Sequence, residues 1–240
     1  MKQFINRQPF LLLKDNGYVE KELVKYANSF CYELILADKI MMLPNNCLDY
    51  IWNMDRKELY CFENITEHRE LEVIGDRLFG IHLDSLYICK CDIKSVELWM
   101  EQLGNCHSFE ERFTYCNNQI DTILHVEQVH PFMRHAIRQM EEAKGKVTIE
   151  TIATELNYTP RHMERLFLQT FSYGPKRFCR YVRLLNAIYS MMQFPNRNIA
   201  YHIENLGYSD QTHFQREFKM FIGMTPKQFL KQYVGERSLF

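Results

Sequence analysis

Residues 205–219 read Asn205-Leu-Gly-Tyr-Ser-Asp-Gln-Thr-His-Phe-Gln-Arg-Glu-Phe-Lys219, the pattern of a helix end, a tight turn and a second helix. Gly207 supplies the backbone freedom that a sharp turn needs, and Ser209 can cap the helix that follows. The apolar residues of that helix recur at the spacing of one helical face, and they are Phe214, Phe218 and Phe221. Because Asn198 can cap a short preceding helix, residues 198–225 predict one helix-turn-helix unit.

The same pattern occurs earlier in the chain, over residues 148–174. The repeat is visible in matching residues, namely Ile149, Leu156, Tyr158 and Thr159 against Ile199, Leu206, Tyr208 and Ser209. Thr148 can cap its first helix, Asn157 tolerates the left-handed backbone of a turn, and Thr159-Pro160 is a typical start for its second helix. A tandem repeat favours two helix-turn-helix units over an ordinary helical hairpin with solvated polar faces.

Between the two units, residues 175–194 contain no internal Pro or Gly and predict one long helix. At 1.5 Å per residue this helix is about 30 Å long, which suits two recognition helices separated by one turn of B-DNA, about 34 Å. Lys176, Arg180 and Arg183 lie at i, i+4 and i+7 on its polar face, where they can meet DNA phosphates. A monomer would then read two successive major grooves.

The two halves of the chain differ in charge. Residues 1–128 hold 13 Lys/Arg against 21 Asp/Glu, whereas residues 129–240 hold 16 Lys/Arg against 9 Asp/Glu. A basic half with helix-turn-helix units indicates a polyanionic partner, and a chance distribution of surface charge is the alternative. Arginine can bind guanine and glutamine can bind adenine in the major groove. Side chains of these two types point outward from the second helices at Arg165, Arg216, Gln211 and Gln215.

Residues from about 130 to 234 resemble the DNA-binding domain of AraC/XylS-family transcription regulators. The resemblance is carried by residues 205–219, by Gly223-Met-Thr-Pro226, and by Pro160-Arg-His-Met-Glu-Arg-Leu-Phe167 in the first unit. It implies that the base-facing residues are Arg161, Glu164 and Arg165 in the first unit and Gln211, Thr212, Gln215 and Arg216 in the second. The expected phosphate contacts are Lys176, Arg180, Arg183, Lys219 and Lys227.

Four residues depart from the family pattern. Ile203 replaces a small Ala and His202 replaces an apolar residue, while Asn157 and Ser172 stand where Gly is common. We expect Ile203 to push the second recognition helix outward and His202 to be a half-buried base. The departures at Ile203 and His202 bear on the DNA affinity of the second unit rather than on its fold.

The N-terminal half has a β-rich pattern. Short runs with partial alternation of apolar and polar residues cover Cys47–Asn53, Leu71–Ile74 and Leu86–Cys91. Residues 43–52 and 73–80 also resemble an uncharacterised N-terminal domain found on some AraC-type regulators.

Two helices are expected to close this half. Ser95 can cap a helix that ends at Leu103, and Ser108-Phe-Glu-Glu111 is a capping box for a longer helix toward Val126. The predicted fold class is α+β. A β-rich α+β sensor domain is followed by an all-α domain of two helix-turn-helix units joined by a long helix.

An effector pocket in the sensor domain would be lined by aromatic side chains, with ordinary core packing as the alternative. Its candidate residues are Tyr50, Trp52, Phe62, Phe79 and Tyr87. No phosphate-binding loop, nucleophile elbow or zinc-protease motif is present, and no cofactor or metal is expected. The eight cysteines include the close pair Cys89 and Cys91, for which a redox role and a soft-metal role stay open.

The sequence predicts a sequence-specific transcription regulator, not an enzyme, with a regulatory domain over residues 1–128 and a DNA-binding domain over residues 129–240. The expected partners are double-stranded DNA, a small-molecule effector or a second subunit, and RNA polymerase, with the protein acting as a monomer or homodimer. Neither a signal-peptide core nor a run of about 18 apolar residues is present, so we expect a cytoplasmic protein without membrane contact. Two alternatives stay open: a DNA-repair regulator in which an N-terminal cysteine accepts an alkyl group, and a protein-interaction module with degenerate helix-turn-helix units.

Overall fold

The computed structural model describes residues 10–11, 18–35, 40–65, 67–72 and 74–234. These residues form two compact units. The first unit contains the described residues up to 65 together with 69–129, and the second contains 130–234 together with 67–68. Among the described residues no helix is long and apolar enough to cross a membrane. In the same ranges, no group of three or more His, Cys, Asp or Glu side chains could hold a metal ion.

The first unit is built on antiparallel strands. In chain order they are β1 (Phe10–Leu11), β2 (Val19–Glu22), β3 (Phe30–Ile35), β4 (Ile40–Met42), β5 (Leu48–Asn53), β6 (Glu58–Glu63), β7 (Arg69–Leu71), β8 (Arg77–Leu83), β9 (Tyr87–Ile88) and β10 (Glu127–Gln128). The main sheet has the order β2-β3-β8-β5-β6, a smaller sheet has the order β1-β4-β7, and β10 pairs with β9. The predicted α+β class, with a β-rich N-terminal half, is confirmed.

The predicted strand runs are confirmed in part. Cys47–Asn53 matches β5, but in the other two runs only Leu71 and Tyr87–Ile88 lie in strands. Ile74 lies in a turn, and Val73 falls outside the described residues. The strands β2, β3, β6 and β8 are absent from the sequence prediction, and in β8 six of the seven residues are buried, without the alternation of a half-exposed strand.

The three central strands of the main sheet, β3, β5 and β8, are mostly buried on both faces. One face packs against the smaller sheet through a hydrophobic cluster that includes Phe30, Tyr32, Leu34, Ile51 and Leu78 of the main sheet and Met42 and Leu71 of the smaller one. Gly80 lies opposite Tyr32 in the β3–β8 register, and a Cβ atom at Gly80 would overlap the Tyr32 ring. Glycine is therefore required at this position of the sheet.

The opposite face of the main sheet is covered by two helices, α1 (Ile93–Gly104) and α2 (Phe109–Leu124). The Cys31 Sγ atom of β3 lies 3.4 Å from the Cys116 Sγ atom of α2. Gly104 of α1 lies against the Trp52 indole, where a Cβ atom would be 2.8 Å from Nε1.

Of the two predicted cap residues of these helices, the structure confirms one and corrects the other. Ser108 caps α2 as predicted, and its Oγ accepts the Glu111 N–H at 3.2 Å. The cap of α1 is Asp92, and the predicted cap Ser95 is wrong. The Asp92 carboxylate accepts both the N–H and the hydroxyl of Ser95, at 3.0 and 3.1 Å. Ser95 is therefore the third residue of a helix that begins earlier than predicted.

The second unit is helical. Its elements are α3 (Pro131–Glu142), α4 (Ile149–Glu155), α5 (Pro160–Phe171), α6 (Pro175–Gln193), α7 (Ile199–Ile203), α8 (Gln211–Ile222), α9 (Pro226–Phe229) and a π-helical turn (Leu230–Val234). The caps of α4, α5 and α7 are the predicted Thr148, Thr159 and Asn198. For α8 the predicted cap Ser209 is wrong, because Asp210 directly precedes the helix and accepts the His213 N–H at 2.7 Å.

The predicted long helix is α6, which ends at Gln193. Phe178 of α6 packs against Phe167 of α5 with ring centroids 5.6 Å apart. Tyr181, one turn further along α6, packs against Phe221 of α8 at 4.9 Å. Both second helices of the repeat are thus packed against one continuous helix.

Candidate nucleic-acid interface

Each recognition helix follows a left-handed turn and buries one face. Asn157 (φ 57°) and Gly207 (φ 77°) provide the turns before α5 and α8, as predicted. The buried side chains are Met163, Phe167 and Phe171 in α5 and Phe214, Glu217, Phe218, Phe221 and Ile222 in α8. The remaining, mostly polar side chains of both helices lie on the outer face.

The outer face of α5 carries the first set of candidate base contacts. The side chains that the resemblance identifies are all exposed, namely Arg161, Glu164 and Arg165. A groove of about 760 Å³ is lined by Thr159, Arg161, His162, Glu164, Arg165, Leu168 and Gln169. Leu168 is 48% exposed, and an apolar side chain in such a groove can contact a thymine methyl group. The sequence prediction omits Leu168.

Arg165 has a partner on this face. Its Nη2 atom donates to His162 Nδ1 at 3.1 Å, and the His162 ring stacks on Tyr158 with centroids 4.7 Å apart. His162 is half-buried, and the sequence prediction gives it no role. The signal that could have identified it is the repeat, because His213 stands at the matching position of α8.

Glu164 turns toward the start of α6. Its carboxylate lies against Gly174, where a Cβ atom would collide with it, and Gly174 is the N-cap residue of α6. Gly174 offers no side-chain cap, and a carboxylate beside a helix N-terminus is stabilised by the helix dipole. Glu164 thus has a contact within the protein, in addition to the base-facing position that the resemblance implies.

The outer face of α8 carries the second set of candidate base contacts. Its exposed side chains include Gln211, Thr212, Gln215 and Arg216. A groove of about 660 Å³ beside the first turn of α8 is lined by Lys146, Ala200, Ile203, Glu204, Asn205, Gly207, Tyr208, Ser209, Asp210, Gln211 and His213. The backbone N–H of His213 and the hydroxyl of Ser209 lower the pKa of the Asp210 carboxyl below its ordinary value. The cap of α8 is therefore ionised at neutral pH.

A buried carboxylate attaches α8 to α6. Glu217 is 4% exposed, and its Oε2 atom accepts from Arg180 Nε at 2.6 Å. Its Oε1 atom accepts from the Tyr208 hydroxyl at 3.0 Å, and burial together with this carboxylate raises the pKa of Tyr208. The Arg180 guanidinium also lies over the Phe221 ring, 5.1 Å from its centroid. The sequence prediction gives no role to Glu217, because its partner lies 37 residues away.

The candidate phosphate contacts divide into two groups. Lys176, Lys219 and Lys227 are exposed. Arg180 pairs with Glu217, and the Arg183 guanidinium lies 5.5 Å from the centroid of the Tyr208 ring. The expected open row of three cations on α6 is therefore corrected: its second and third members are engaged by residues of the second helix-turn-helix unit, which packs against that part of α6.

His202 is fully buried rather than half-buried, at 2% exposure. Its Nε2 atom donates to the Arg197 carbonyl at 3.2 Å, and its Nδ1 atom accepts from the Ser190 hydroxyl at 3.0 Å. Burial lowers the pKa of His202 below its ordinary value. The ring is therefore neutral and joins α7 to the end of α6. Ile203 is half-buried and lines the groove beside α8.

The five aromatic residues of the predicted effector pocket do not line one cavity in the described part of the first unit. Tyr50, Trp52 and Phe79 share the face that α1 and α2 cover, because Trp52 pairs with Phe79 in the β5–β8 register. Phe62 packs against the cluster on the opposite face. Tyr87 packs edge-on against Tyr26 at 5.1 Å. The alternation of side chains along strands places these candidates for one pocket on different faces of the sheet.

Cys89 and Cys91 lie beside the Tyr50 hydroxyl, and a third cysteine, Cys61, lies on the neighbouring strand β6. The Tyr50 hydroxyl oxygen is 3.2 Å from Cys91 Sγ, and Cys61 lies opposite Tyr50 in the β5–β6 register. Burial and the neighbouring Cys91 thiol raise the pKa of Cys61 to about 11 and that of Cys89 to about 12. Because the thiolate is the nucleophilic form of cysteine, Cys61 and Cys89 are weak nucleophiles at neutral pH.

Residues 152–232 match the sequence profile of a helix-turn-helix domain family. They form an AraC-type helix-turn-helix domain. The AraC-type domain begins within α4 and ends within the π-helical turn, so it includes both α5 and α8. The resemblance inferred from residues 160–167, 205–219 and 223–226 is confirmed.

Two curated relatives share a region of similar size. The chain is 30% identical over 91 residues to the uncharacterized HTH-type transcriptional regulator YpdC of Escherichia coli K12, covering 37% of this chain and 31% of YpdC. It is 30% identical over 95 residues to the bifunctional transcriptional activator/DNA repair enzyme Ada of the same organism, covering 40% of this chain and 26% of Ada. The matched region thus spans about a third or less of the length of these relatives. Among solved structures, ToxT from Vibrio cholerae is similar with a TM-score of 0.46 and 12% identity, over 86% of this chain and 98% of ToxT.

Proposed function

We propose that this protein is a sequence-specific DNA-binding transcription regulator in which α5 and α8 enter successive major grooves. The observation that carries the proposal is the matched pair of helices within the AraC-type domain. Each exposes an arginine, Arg165 or Arg216, two residues before a fully buried phenylalanine, Phe167 or Phe218. A helix held by one apolar face and exposing base-reading side chains on the other is what groove recognition requires.

The roles within this interface follow from exposure and partners. The proposed base contacts are Arg161, Glu164 and Arg165 of α5 and Gln211, Thr212, Gln215 and Arg216 of α8. The proposed phosphate contacts are Lys176, Lys219 and Lys227. We leave Arg180 and Arg183 out of that group, because their contacts with Glu217 and Tyr208 hold α8 in place.

We propose residues 129–240 as the DNA-binding domain and residues 1–128 as a regulatory domain that binds a small-molecule effector or a partner. Such an effector would change DNA binding only if its affinity differs between two states of the protein. We propose no enzymatic activity. An alkyl-accepting cysteine needs an activated thiolate, and the raised pKa values of Cys61 and Cys89 disfavour one at these two positions.

The proposal is tested by selecting the full chain on a randomised DNA duplex pool at two salt concentrations. We expect a motif with two half-sites about one helical turn apart, bound more weakly at the higher salt concentration. Arg165→Ala and Arg216→Ala should each cost about 1–3 kcal/mol and relax base preference at different positions. Arg138→Ala removes an exposed arginine from α3 and is the matched control.

Two outcomes would contradict the proposal. If both recognition-helix variants keep the wild-type base preference, α5 and α8 are not the reading elements. If no motif is enriched and binding is insensitive to salt, the protein-interaction alternative is favoured over DNA recognition.

A further inference from the structure

The imidazole of His162 holds the guanidinium of Arg165 on the outer face of α5. Arg165 Nη2 lies 3.1 Å from His162 Nδ1. Because a guanidinium has donors and no acceptor, Nδ1 must accept, and the proton of the neutral ring then lies on Nε2. Arg165 thereby fixes the tautomer of His162, and His162 fixes the direction of Arg165.

The His162 ring is itself held by two aromatic side chains. It stacks on Tyr158 with an interplanar angle of 19° and meets the Phe132 ring edge-on with centroids 6.1 Å apart. Phe132 is 6% exposed and lies 4.2 Å from Tyr158, centroid to centroid. A continuous series of ring contacts therefore leads from the buried face of α3 to the Arg165 guanidinium.

The matching histidine of the second unit has a different partner. His213 Nδ1 lies 3.3 Å from the Ser209 hydroxyl oxygen, and its ring meets Tyr208 edge-on at 5.4 Å. The residue that corresponds to Arg165 is Arg216. His213 contacts the turn before α8 and is not directed toward Arg216. The two units therefore present their arginines differently.

We propose that His162 is a positioning residue that sets the base preference of Arg165, and that His213 has no such role for Arg216. This inference rests on the proposed function, because it assumes that α5 reads DNA. A guanidinium has five N–H donors, so the bond to His162 leaves four for a bidentate contact with guanine O6 and N7. Holding a flexible side chain in its binding direction beforehand reduces the rotamer freedom lost on binding.

Two substitutions of His162 distinguish the contribution of its hydrogen-bond acceptor from that of its aromatic ring. His162→Phe keeps an aromatic ring over Tyr158 and removes the acceptor, whereas His162→Asn keeps an acceptor at the position of Nδ1 and removes the ring. His213→Phe is the matched control in α8, and Arg165→Ala defines which base pair Arg165 reads. The full-length variants are titrated against duplexes that differ only at that base pair.

We expect Arg165→Ala to reduce discrimination at that base pair by about 5- to 150-fold, the value of one bidentate contact. His162→Phe should reduce the same discrimination by about 2- to 10-fold, the value of one hydrogen bond, and leave the other base pairs unaffected. His162→Asn should retain most of the discrimination, and His213→Phe should retain all of it. Thermal unfolding of each variant checks that α5 remains folded.

The outcomes separate this inference from the proposed function. If Arg165→Ala loses discrimination while His162→Phe keeps it, α5 reads DNA and the role of His162 is refuted. The role is also refuted if His162→Phe weakens binding to all duplexes equally, since a merely structural residue acts in that way. If Arg165→Ala itself changes no preference, both the inference and the assignment of α5 as a reading helix fail.

Discussion

The ion pair between Arg180 and Glu217 leads to an asymmetric stability prediction. The Glu217 side chain is 3% exposed, whereas that of Arg180 is 36% exposed. Removing the carboxylate leaves a guanidinium that water can reach. Removing the guanidinium leaves a buried carboxylate with the Tyr208 hydroxyl as its remaining hydrogen-bond partner among the described residues. We therefore expect Arg180→Met to destabilise the second unit more than Glu217→Gln does.

The magnitudes follow from burial. An uncompensated buried charge costs about 3–5 kcal/mol, which is the expected effect of Arg180→Met. Glu217→Gln keeps an acceptor for Tyr208 and loses one charge-assisted hydrogen bond, so about 1.5–3 kcal/mol is expected. The double variant should cost less than the sum of the two single variants, because it strands no charge. With a urea m-value of about 1–3 kcal/mol/M, Arg180→Met should lower the unfolding midpoint by about 1 M or more.

Urea unfolding followed by two signals can measure this difference. Both tryptophans, Trp52 and Trp99, lie in the first unit, so their fluorescence reports on that unit and serves as an internal reference. Far-UV circular dichroism follows the helices, most of which belong to the second unit. Arg138→Met, at an exposed site on α3, is the matched control and should stay within about 0.5 kcal/mol of wild type. If Arg180→Met costs no more than Glu217→Gln, the buried carboxylate does not depend on Arg180 for its compensation.

Three further predictions concern pH, packing and salt. Because burial lowers the pKa of His202, the unfolded state takes up a proton first as the pH falls below about 6.5. The stability of the second unit should therefore fall on acidification, and His202→Leu should remove this part of the slope in denaturation series at several pH values. Gly80→Ala forces a Cβ atom into the Tyr32 ring and should cost the first unit about 1–3 kcal/mol by tryptophan fluorescence, and an unchanged midpoint would contradict this. Lys176→Ala should weaken binding to all DNA sequences about equally and reduce the salt slope by about 1, which titrations at several salt concentrations would detect.

Local features of the second unit could be predicted from the sequence. The caps Thr148, Thr159 and Asn198 and the left-handed turn at Asn157 depend on a few neighbouring residues, and the structure confirms them. The cap of α8 shows the limit of that reasoning. Ser209 and Asp210 are both good cap residues, and only the backbone path shows that the aspartate directly precedes the helix.

Contacts between distant residues could not be predicted. Arg180 has the spacing of a solvated row of cations, but its partner Glu217 comes from another helix, and helical periodicity carries no information about that packing. The effector candidates show the same limit in the first unit. Tyr50 and Phe62 lie on neighbouring strands, and only the register assigns them to opposite faces of the sheet. A shift of one residue would have exchanged those faces.

The continuity of α6 also limits how an operator could vary. This helix of 19 residues has no break, and it packs against α5 at Phe178 and pairs with α8 at Arg180. One extra base pair between the half-sites rotates the second by about 34–36°, since one turn of B-DNA contains 10–10.5 base pairs. A flexible linker could follow this rotation, but two recognition helices packed against one continuous helix could not. For the proposed regulator, one inserted base pair would put the half-sites out of phase, and a full inserted turn would restore the phase but place the second half-site out of reach.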